Sequence, residues 1–255
     1  MSAITLHARP SSQYTLKLAE AQSVLAQAAA QYAGMDGDAT TITQASSLGA
    51  EDVVISHLIN TLKLDIGIFV LETGRLHKET LTLLARFKAA SRATVTVYQP
   101  VAESVVQFVQ REGQDAMCRS IALRKACCHL RKLEPLERAL QGKNAWITGL
   151  RREQSDARAE VTLVDTSEQR TKINPLANWT WGDVWHYIAE NKVDYNPLHD
   201  QFFPSIGCEP CTRAVSAGED FRSGRWWWEA EQEGGAAKEC GLHVKTTDSH
   251  EEANA

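Results

Sequence analysis

Six cysteines are the most reactive side chains of this 255-residue chain, and four of them fall into two pairs. Cys208 and Cys211 form a CxxC, a spacing used by zinc sites, iron–sulfur sites and dithiol redox sites. Cys127 and Cys128 are adjacent in a basic segment, which matches the usual spacing of zinc ligands poorly. Together the pairs supply the four thiolates that a [4Fe–4S] cluster needs. The alternative is a structural zinc knuckle with an incidental cysteine pair elsewhere.

The remaining two cysteines have no partner by spacing. We expect Cys118 to be a buried, inert thiol. Cys240 lies near the C-terminal end, where Gly241 beside it gives the backbone freedom. A mobile segment can carry a nucleophilic thiolate into and out of a site, so Cys240 is a candidate nucleophile. The alternative is an incidental thiol near a chain end.

Two turns carry small and hydroxyl-bearing residues that suit an oxyanion. Residues 46–52 (SSLGAED) stand between a predicted strand and a helix, where backbone N–H groups and the helix N-terminus favour a phosphate or sulfate. Plain helix capping is the alternative role for Ser47 and Gly49. The next predicted strand ends at residues 71–74 (LETG), and ligands of open α/β sheets bind over such strand ends. The two turns could therefore share one ligand.

The charge distribution also indicates a focused anion site. Net charge is −5 and the pI is about 5.9, which argues against a nucleic-acid partner bound through bulk charge. Residues 119–158 nevertheless hold 10 Lys and Arg against 4 Asp and Glu. A solvated basic face is the alternative explanation for that segment.

Composition and hydropathy point to a cytoplasmic globular enzyme. Mean hydropathy is −0.32, and no stretch approaches the ~18 apolar residues that cross a bilayer. The first ten residues lack the apolar core of a secretory signal. We therefore expect neither a membrane protein nor a secreted disulfide scaffold.

Alternating strands and helices predict βαβ units and a mainly parallel sheet. The predicted strands cover residues 40–45, 66–71, 94–98 and 145–148. The predicted helices cover residues 14–33, 50–62, 76–90, 101–111 and 119–140. A further short helix, capped by Thr180, places Trp181, Val184, Trp185 and Ile188 on one apolar face. We expect one α/β domain over residues 1–213 and a flexible, charged tail over residues 214–255 that carries Cys240.

Taken together in chain order, these motifs resemble one family closely. They are SSLGAED at 46–52, LETGRLH at 71–77, CC at 127–128 followed by RK at 131–132, TGLRR at 148–152, CEPC at 208–211 and ECGLH at 239–243. The pattern resembles the assimilatory adenylyl-sulfate (APS) reductases, within the phosphoadenylyl-sulfate reductase family. The resemblance implies an adenine-nucleotide α-hydrolase-like fold, a mainly parallel sheet flanked by helices with a mobile C-terminal tail.

The resemblance also implies a reaction. The Cys240 thiolate attacks the sulfur of adenosine 5′-phosphosulfate and expels AMP, leaving an enzyme S-sulfocysteine. Thioredoxin, or glutaredoxin, then attacks this intermediate and releases sulfite, in the sulfate assimilation that feeds cysteine biosynthesis. The family does not imply a nucleic-acid or membrane partner, and homo-oligomerisation stays open.

Site residues follow from the same resemblance. Cys127, Cys128, Cys208 and Cys211 would hold the [4Fe–4S] cluster, which is thought to tune electrostatics and order rather than to shuttle electrons. The expected substrate contacts are Ser47, Gly49, Thr73 and Gly74 on the nucleotide, Arg151, Arg152 and Arg158 at the sulfate and phosphate end, and Lys132 between cluster and substrate.

Two departures from related patterns bear on competing functions. Glu72 stands where the family usually has Asp, and Asp52 stands where the loop of ATP pyrophosphatases has a hydroxyl residue. Asp52 therefore disfavours an ATP-hydrolysing ligase or RNA-thiolating enzyme. A reductase for the 3′-phosphorylated substrate, which commonly lacks the paired cysteines, and a zinc-binding interaction module are two further competing functions.

Overall fold

Six strands form a single, mainly parallel sheet in the computed structural model, which describes residues 1–34 and 39–231. The strands are β1 (Ile42–Ser46), β2 (Gly67–Leu71), β3 (Val95–Tyr98), β4 (Ala145–Ile147), β5 (Val164–Asp165) and β6 (Thr171–Ile173). Their order is β3-β2-β1-β4-β6-β5, and the edge strand β5 pairs antiparallel with β6 while the other pairs are parallel. The predicted fold class is confirmed.

Eight α-helices accompany these strands in the described residues. They are α1 (Ala3–His7), α2 (Tyr14–Gln31), α3 (Ala50–Thr61), α4 (Lys78–Ala90), α5 (Ala102–Glu112), α6 (Ile121–Cys128), α7 (Glu134–Ala139) and α8 (Trp181–Asn191). Thr180 caps α8 as predicted, with its hydroxyl accepting a hydrogen bond from the Asp183 N–H at 3.1 Å. In the described ranges no helix is long and apolar enough to cross a membrane.

The sheet is covered on both faces, which explains the continuous apolar run of β2. On β2, Ile68 and Val70 pack into the large core with α3 and α8. The intervening Phe69 points to the other face and packs with Leu136 and Trp146. This alternation follows the two-residue period of a strand. Both faces of β2 therefore support the carboxyl end of the strand, where its turn begins.

The single helix predicted over residues 119–140 is interrupted. Helix α6 ends at Cys128, a π-helical turn spans His129–Leu133, and α7 continues to Ala139. Pro135, near the start of α7, has no N–H to donate and its ring crowds the carbonyl four residues earlier, at Arg131. The wider turn is thus placed directly after the adjacent cysteines. Turns of this kind are frequent at functional sites.

Part of the expected tail packs against the domain. The Val215 N–H donates to the Phe202 carbonyl at 2.9 Å, and the Trp226 N–H donates to the Cys211 carbonyl at 3.2 Å. Trp226 is 1% exposed. The described stretch 214–231 therefore continues the folded domain beyond the predicted boundary at residue 213. This difference arises because Trp226 is buried against the domain, which the charged composition of the segment concealed.

Candidate active site and cysteine pocket

A cavity opens where the carboxyl ends of β1, β2 and β4 meet. We call it the strand-end cavity; its walls include Ser47, Phe69, Thr73, Trp146 and Gly149. The strand order reverses direction between β1 and β4, and crevices at such a reversal bind the ligands of open α/β sheets. Its aromatic and aliphatic walls suit a flat apolar group, while the turns at its edge supply polar atoms.

The turn after β1 is held by a buried carboxylate. Asp52 accepts hydrogen bonds at 2.6 Å from both the backbone N–H and the hydroxyl of Ser47. Leu48 is fully buried in the left-handed conformation (φ 60°), and Gly49 caps α3. Burial raises the pKa of Asp52 to about 6, although the Ser47 hydrogen bonds oppose the shift. The turn is thus held in place around Asp52 at the N-terminus of α3.

On the opposite wall of the strand-end cavity, the backbone of Gly149 lies close to the Asp52 side chain. A Cβ on Gly149 would lie 2.5 Å from an Asp52 carboxylate oxygen, so a side chain there would displace the turn. Of the predicted contact residues, Ser47 and Thr73 line the strand-end cavity. Gly49 lines the neighbouring cavity described below.

The turn after β2 is tied to the cysteine-bearing helix. Gly74 takes a φ of +70°, and its N–H donates to a Glu72 carboxylate oxygen at 2.6 Å. The Gln99 amide donates to the other Glu72 oxygen at 2.9 Å. Arg131 donates to the Thr73 carbonyl at 2.6 Å. The longer Glu72 side chain, where a shorter Asp was expected, therefore bridges the turn to the residue after β3.

A second cavity adjoins the first, sharing Ser47, Asp52, Lys132 and Gly149 with it. We call it the cationic cavity, because the basic side chains on its walls are Lys132, Arg158, Arg222 and Arg225. Guanidinium groups bind phosphate and sulfate oxygens in a planar, bidentate way. The pair of cavities thus suits a ligand with an apolar end and an anionic end.

The structure does not bring Arg151 and Arg152 to the walls of either cavity. Arg151 is 1% exposed and its guanidinium donates to Glu51 at 2.9 Å, to Glu153 at 3.0 Å and to the Trp179 carbonyl. Arg152 is exposed, and its Nε donates to the Val161 carbonyl at 2.7 Å. Of the three arginines predicted at the anionic end, Arg158 lines the cationic cavity.

Four cysteines from distant parts of the chain line one pocket. Cys127 and Cys128 come from the end of α6, and Cys208 and Cys211 flank a single 3₁₀ turn (Glu209–Cys211). The Thr73 hydroxyl lies 3.3 Å from the Cys208 sulfur, which places this cysteine pocket beside the strand-end cavity. No disulfide joins the five cysteines in the described residues. The two predicted pairs are therefore neighbours in space.

The cysteine pocket is apolar within and basic around its rim. Burial raises the pKa of the Cys211 thiol to about 12, with Cys208 adding to the shift and Lys132 and Arg225 opposing it. Burial also raises the pKa of Cys127, against the guanidinium of Arg131. The positive charges of these three side chains stabilise the thiolate form and so oppose the effect of burial on the pKa. Lys132 also lines both cavities, so it stands between the thiols and the anionic end.

The four cysteines of the pocket supply the number of thiolates that a [4Fe–4S] cluster needs. Among residues 1–34 and 39–231, no three His, Cys, Asp or Glu side chains converge closely enough to ligate one metal ion. A [4Fe–4S] cluster takes one thiolate at each iron, so its ligands surround a bulky group instead of meeting at a point. Four buried or half-buried thiols around a basic-rimmed pocket match that requirement.

The last described segment closes over the cysteine pocket. Trp226 lies in its wall, with the guanidinium groups of Arg124 and Arg225 4.6 and 4.7 Å from the ring centroid. Arg124 forms a buried ion pair with Glu229 at 2.5 Å, each side chain under 10% exposed. Cys240 lies outside the described residues. Cys118, expected to be buried, is exposed, and the buried side of its 3₁₀ turn is formed by Ala116 and Met117 instead.

Sequence reasoning missed several residues of the cationic cavity. Arg222 and Arg225 lie in the segment assigned to the tail, and His199 follows a proline in a region with little periodicity. Two arginines that closely precede a run of three tryptophans were the signal in the sequence that this segment is folded. Aromatic residues in such numbers are seldom left exposed together.

The chain has an α/β fold of the adenine-nucleotide α-hydrolase-like type, with two adjoining cavities at the switch point of its sheet. Residues 41–214 match the family model described as the phosphoadenosine phosphosulfate reductase domain. Because that match covers more than half of the chain, the protein belongs to this family.

Relatives support the same conclusion. The chain is 50% identical over 204 residues to an adenosine 5′-phosphosulfate reductase of Burkholderia cepacia, covering 79% of this chain and 80% of that protein. It is 48% identical over 229 residues to the protein of the same name from Neisseria meningitidis serogroup A, covering 89% and 91%. The crystal structure of phosphoadenylyl-sulfate reductase from Candida auris, a phosphate complex, superposes with a TM-score of 0.63. That structure is 28% identical and covers 80% of this chain and 94% of its own.

Proposed function

We propose that this protein reduces adenosine 5′-phosphosulfate to sulfite and AMP, in the sulfate assimilation that feeds cysteine biosynthesis. One observation carries the proposal: an apolar cavity, a cavity with four basic side chains and a four-cysteine pocket adjoin one another at the switch point of the sheet. The substrate has an apolar adenosine end and an anionic phosphosulfate end, which match the first two cavities. The names of the bacterial relatives support the same substrate.

Adenosine would occupy the strand-end cavity. Phe69 and Trp146 there offer flat apolar surface, and the hydroxyl oxygens of Ser47 and Thr73 at its edge can accept hydrogen bonds. The Asp52 carboxylate already accepts the Ser47 N–H and hydroxyl, so these two donors are not available to a polyphosphate. This occupancy disfavours ATP hydrolysis on the turn.

The phosphosulfate would occupy the cationic cavity. Arg158, Arg222 and Arg225 and the ammonium of Lys132 surround this space. Charge-assisted hydrogen bonds from them hold the sulfo group and stabilise the negative charge that moves onto AMP as the sulfur–oxygen bond breaks. Arg225 and Lys132 also face the cysteine pocket, so both contribute to the electrostatics of the thiols.

The nucleophile in this proposal is Cys240. Its thiolate forms a bond to the substrate sulfur as the bond to the phosphate oxygen breaks, giving an S-sulfocysteine and AMP. A thiolate of reduced thioredoxin (or glutaredoxin) then attacks the Cys240 sulfur, sulfite leaves with the bonding electrons, and the second thiol of the dithiol resolves the mixed disulfide. The net change is two electrons from the dithiol to the sulfo group.

Cys240 is nine residues beyond Glu231, where the described chain ends. An extended chain of this length spans at most about 30 Å. The Arg124–Glu229 ion pair fixes the start of this span beside the cysteine pocket. The anchoring residue Arg124 lines the cysteine pocket, which shares Lys132 with the cationic cavity, and this proximity supports the assignment.

Cys127, Cys128, Cys208 and Cys211 would hold the [4Fe–4S] cluster. When bound, the cluster supplies local charge and structural order beside the substrate rather than an electron for the reaction. Arg75, Arg124, Arg131 and Lys132 line the same pocket, and their positive charge offsets that of four thiolates.

A direct assay tests the proposal. Protein purified without oxygen is given adenosine 5′-phosphosulfate, its 3′-phosphorylated analogue or ATP, with reduced thioredoxin, and sulfite and AMP are measured. We expect sulfite and AMP in equal amounts from the first substrate and far less from the second. Cys240→Ser should give neither product. Faster turnover of the 3′-phosphorylated substrate would overturn the substrate assignment, and ATP-dependent AMP release would support the pyrophosphatase alternative.

A further inference from the structure

His199 is a buried titratable group on the wall of the cationic cavity that the proposed reaction does not use. It belongs to the 3₁₀ turn Pro197–Gln201, is 6% exposed, and lies on the wall of this cavity with Arg158 and Arg225. Within the described residues, neither ring nitrogen has a hydrogen-bond partner. A buried polar group without a partner costs about 1–3 kcal/mol, so this arrangement is unfavourable in the absence of a ligand.

Aromatic packing fixes the ring in place. The ring centroids of Trp181 and Trp185 lie 5.9 and 5.3 Å from that of His199, both in edge-on arrangements. The neighbouring Tyr195 packs on Trp185 and does not line the cavity. A phenyl ring would fill the same aromatic space without leaving two nitrogens unsatisfied. Packing alone therefore does not account for a histidine at this position.

The imidazole is neutral at physiological pH. Burial lowers the pKa of His199 to about 4, and the positive charge of His7 adds to the shift. The charges of Glu51 and Asp200 and the backbone of Phe203 oppose this lowering of the pKa. A neutral imidazole carries one N–H donor and one acceptor. Beside the four basic side chains of the cavity, it can donate a hydrogen bond to an oxyanion without adding a further positive charge to their mutual repulsion.

We infer that His199 is a substrate-binding residue that donates one ring N–H to an oxygen of the phosphosulfate. This inference rests on the proposed function, since it names a further contact of the same substrate. Binding would satisfy a buried donor that is otherwise unpaired, so the contact gains the hydrogen bond and removes the cost of the empty state. The specificity of the cationic cavity would then depend on a directional neutral donor as well as on charge.

Binding measurements on full-length protein purified without oxygen test the inference. The variants are His199→Phe, which keeps the ring and removes the donor, and His199→Asn, which restores an N–H donor. Tyr195→Phe is the matched control, because it removes a polar group from the same aromatic cluster away from the cavity. Dissociation constants are measured for adenosine and for adenosine 5′-phosphosulfate, the latter in a Cys240→Ser background that cannot react.

We expect His199→Phe to bind adenosine as the parent does and to bind adenosine 5′-phosphosulfate about tenfold more weakly. His199→Asn should recover part of that loss, and Tyr195→Phe should bind both ligands normally. His199→Phe should also unfold at the same denaturant concentration as the parent or a higher one, since the unsatisfied nitrogens are gone.

Three results would overturn the inference. They are unchanged affinity of His199→Phe for the sulfated nucleotide, an equal loss for adenosine, and an equal loss in Tyr195→Phe. A parent protein that binds adenosine but not adenosine 5′-phosphosulfate would instead refute the proposed function, so the two failures are distinguishable.

Discussion

Asp52 fixes the conformation of the turn after β1 and occupies two of its hydrogen-bond donors. Its carboxylate takes the N–H and hydroxyl of Ser47, donors that a phosphate would otherwise use, and holds them at 2.6 Å. Burial beside Glu51 makes the ionised form of this carboxyl costly. The turn is thus rigid and carries a titratable group between the two cavities.

Replacing Asp52 by Asn should remove a pH dependence of stability. The pKa rises from 3.8 to about 6 on folding, so the folded chain binds this proton more tightly than the unfolded chain does. The stabilisation is complete below about pH 4 and is lost as the pH rises to about 6, by up to about 3 kcal/mol. Asn keeps an oxygen to accept the Ser47 hydrogen bonds.

Urea unfolding of parent and Asp52→Asn between pH 4 and 7.5 measures this effect. The variant should gain stability relative to the parent as the pH rises through that window, and the difference should be constant above it. A difference in free energy of unfolding that does not change with pH would show that Asp52 does not titrate as described.

Arg158 and Arg152 provide a matched pair for substrate binding. Arg158 lines the cationic cavity, whereas Arg152 is exposed and donates to the Val161 carbonyl. Arg158→Ala should weaken binding of adenosine 5′-phosphosulfate by about 1.5–3 kcal/mol, tenfold or more, because a charge-assisted contact is lost. Arg152→Ala should bind as the parent does. Equal losses in the two variants, measured by calorimetry in a Cys240→Ser background, would contradict the placement of the anionic end.

We expect Arg151 to stabilise the fold and not to bind the substrate. Its buried guanidinium pairs with Glu51, and its removal leaves that carboxylate buried without its cation. Breaking a buried pair in this way costs about 3–5 kcal/mol. We expect Arg151→Ala to lower the free energy of unfolding by this order, as measured by urea denaturation. A loss below about 1 kcal/mol would show that the pair is not structural.

At the scale of elements, two distant segments meet to form the cysteine pocket. Helix α6 and its π-helical turn bring Cys127 and Cys128 to one wall, and the turn Glu209–Cys211 brings Cys208 and Cys211 to the other. Leu76 and Cys208 form an isolated antiparallel bridge that joins the second segment to the end of β2. The pocket therefore depends on tertiary structure at both walls.

Cys208→Ser should give a colourless protein with little reductase activity, because the proposed cluster loses one of four thiolate ligands. Cys118→Ser is the control, since that cysteine is exposed and lies outside the pocket. Iron and sulfide analysis with a visible absorption spectrum is the measurement. Full iron content in Cys208→Ser, or zinc without sulfide in the parent, would refute the cluster.

The sequence predicts those elements that follow a regular pattern. Helices α2 to α5 and strands β1 to β4 agree with the prediction within two residues at every end, because their patterns of apolar residues are clear. The break at residues 129–133 was not predicted, although Pro135 in the interior of the predicted helix was a signal for it. Strands β5 and β6 are two and three residues long and each contains a charged residue, whereas the equally short β4 is entirely apolar.

The candidate site was predictable where it sits on those regular elements. Ser47, Thr73 and Lys132 follow strands or helices with clear patterns and do line the cavities. Arg151 was expected there from the family resemblance, but a local sequence cannot show that Glu51, a hundred residues earlier, accepts a hydrogen bond from its guanidinium. Arg225 was missed because the burial of Trp226 beside it is a tertiary effect.

On the scale of the whole molecule, the proposed chemistry links the sheet to the C-terminal end of the chain. The strand-end and cationic cavities belong to the domain core, and the anchor formed by Arg124 and Glu229 holds the chain before Cys240, which is nine residues beyond Glu231. The nucleophile must meet the substrate sulfur and afterwards a protein dithiol. The covalent intermediate is therefore expected on Cys240 and on no other cysteine.

Trapping that intermediate tests the central claim most directly. The protein is incubated with adenosine 5′-phosphosulfate in the absence of thioredoxin, AMP release is counted, and the digested chain is analysed by mass spectrometry. We expect about one AMP per chain, an added SO₃ on the peptide that contains Cys240, and discharge as sulfite when reduced thioredoxin is added. An adduct on Cys118, or normal turnover by Cys240→Ser, would contradict the assignment of the nucleophile.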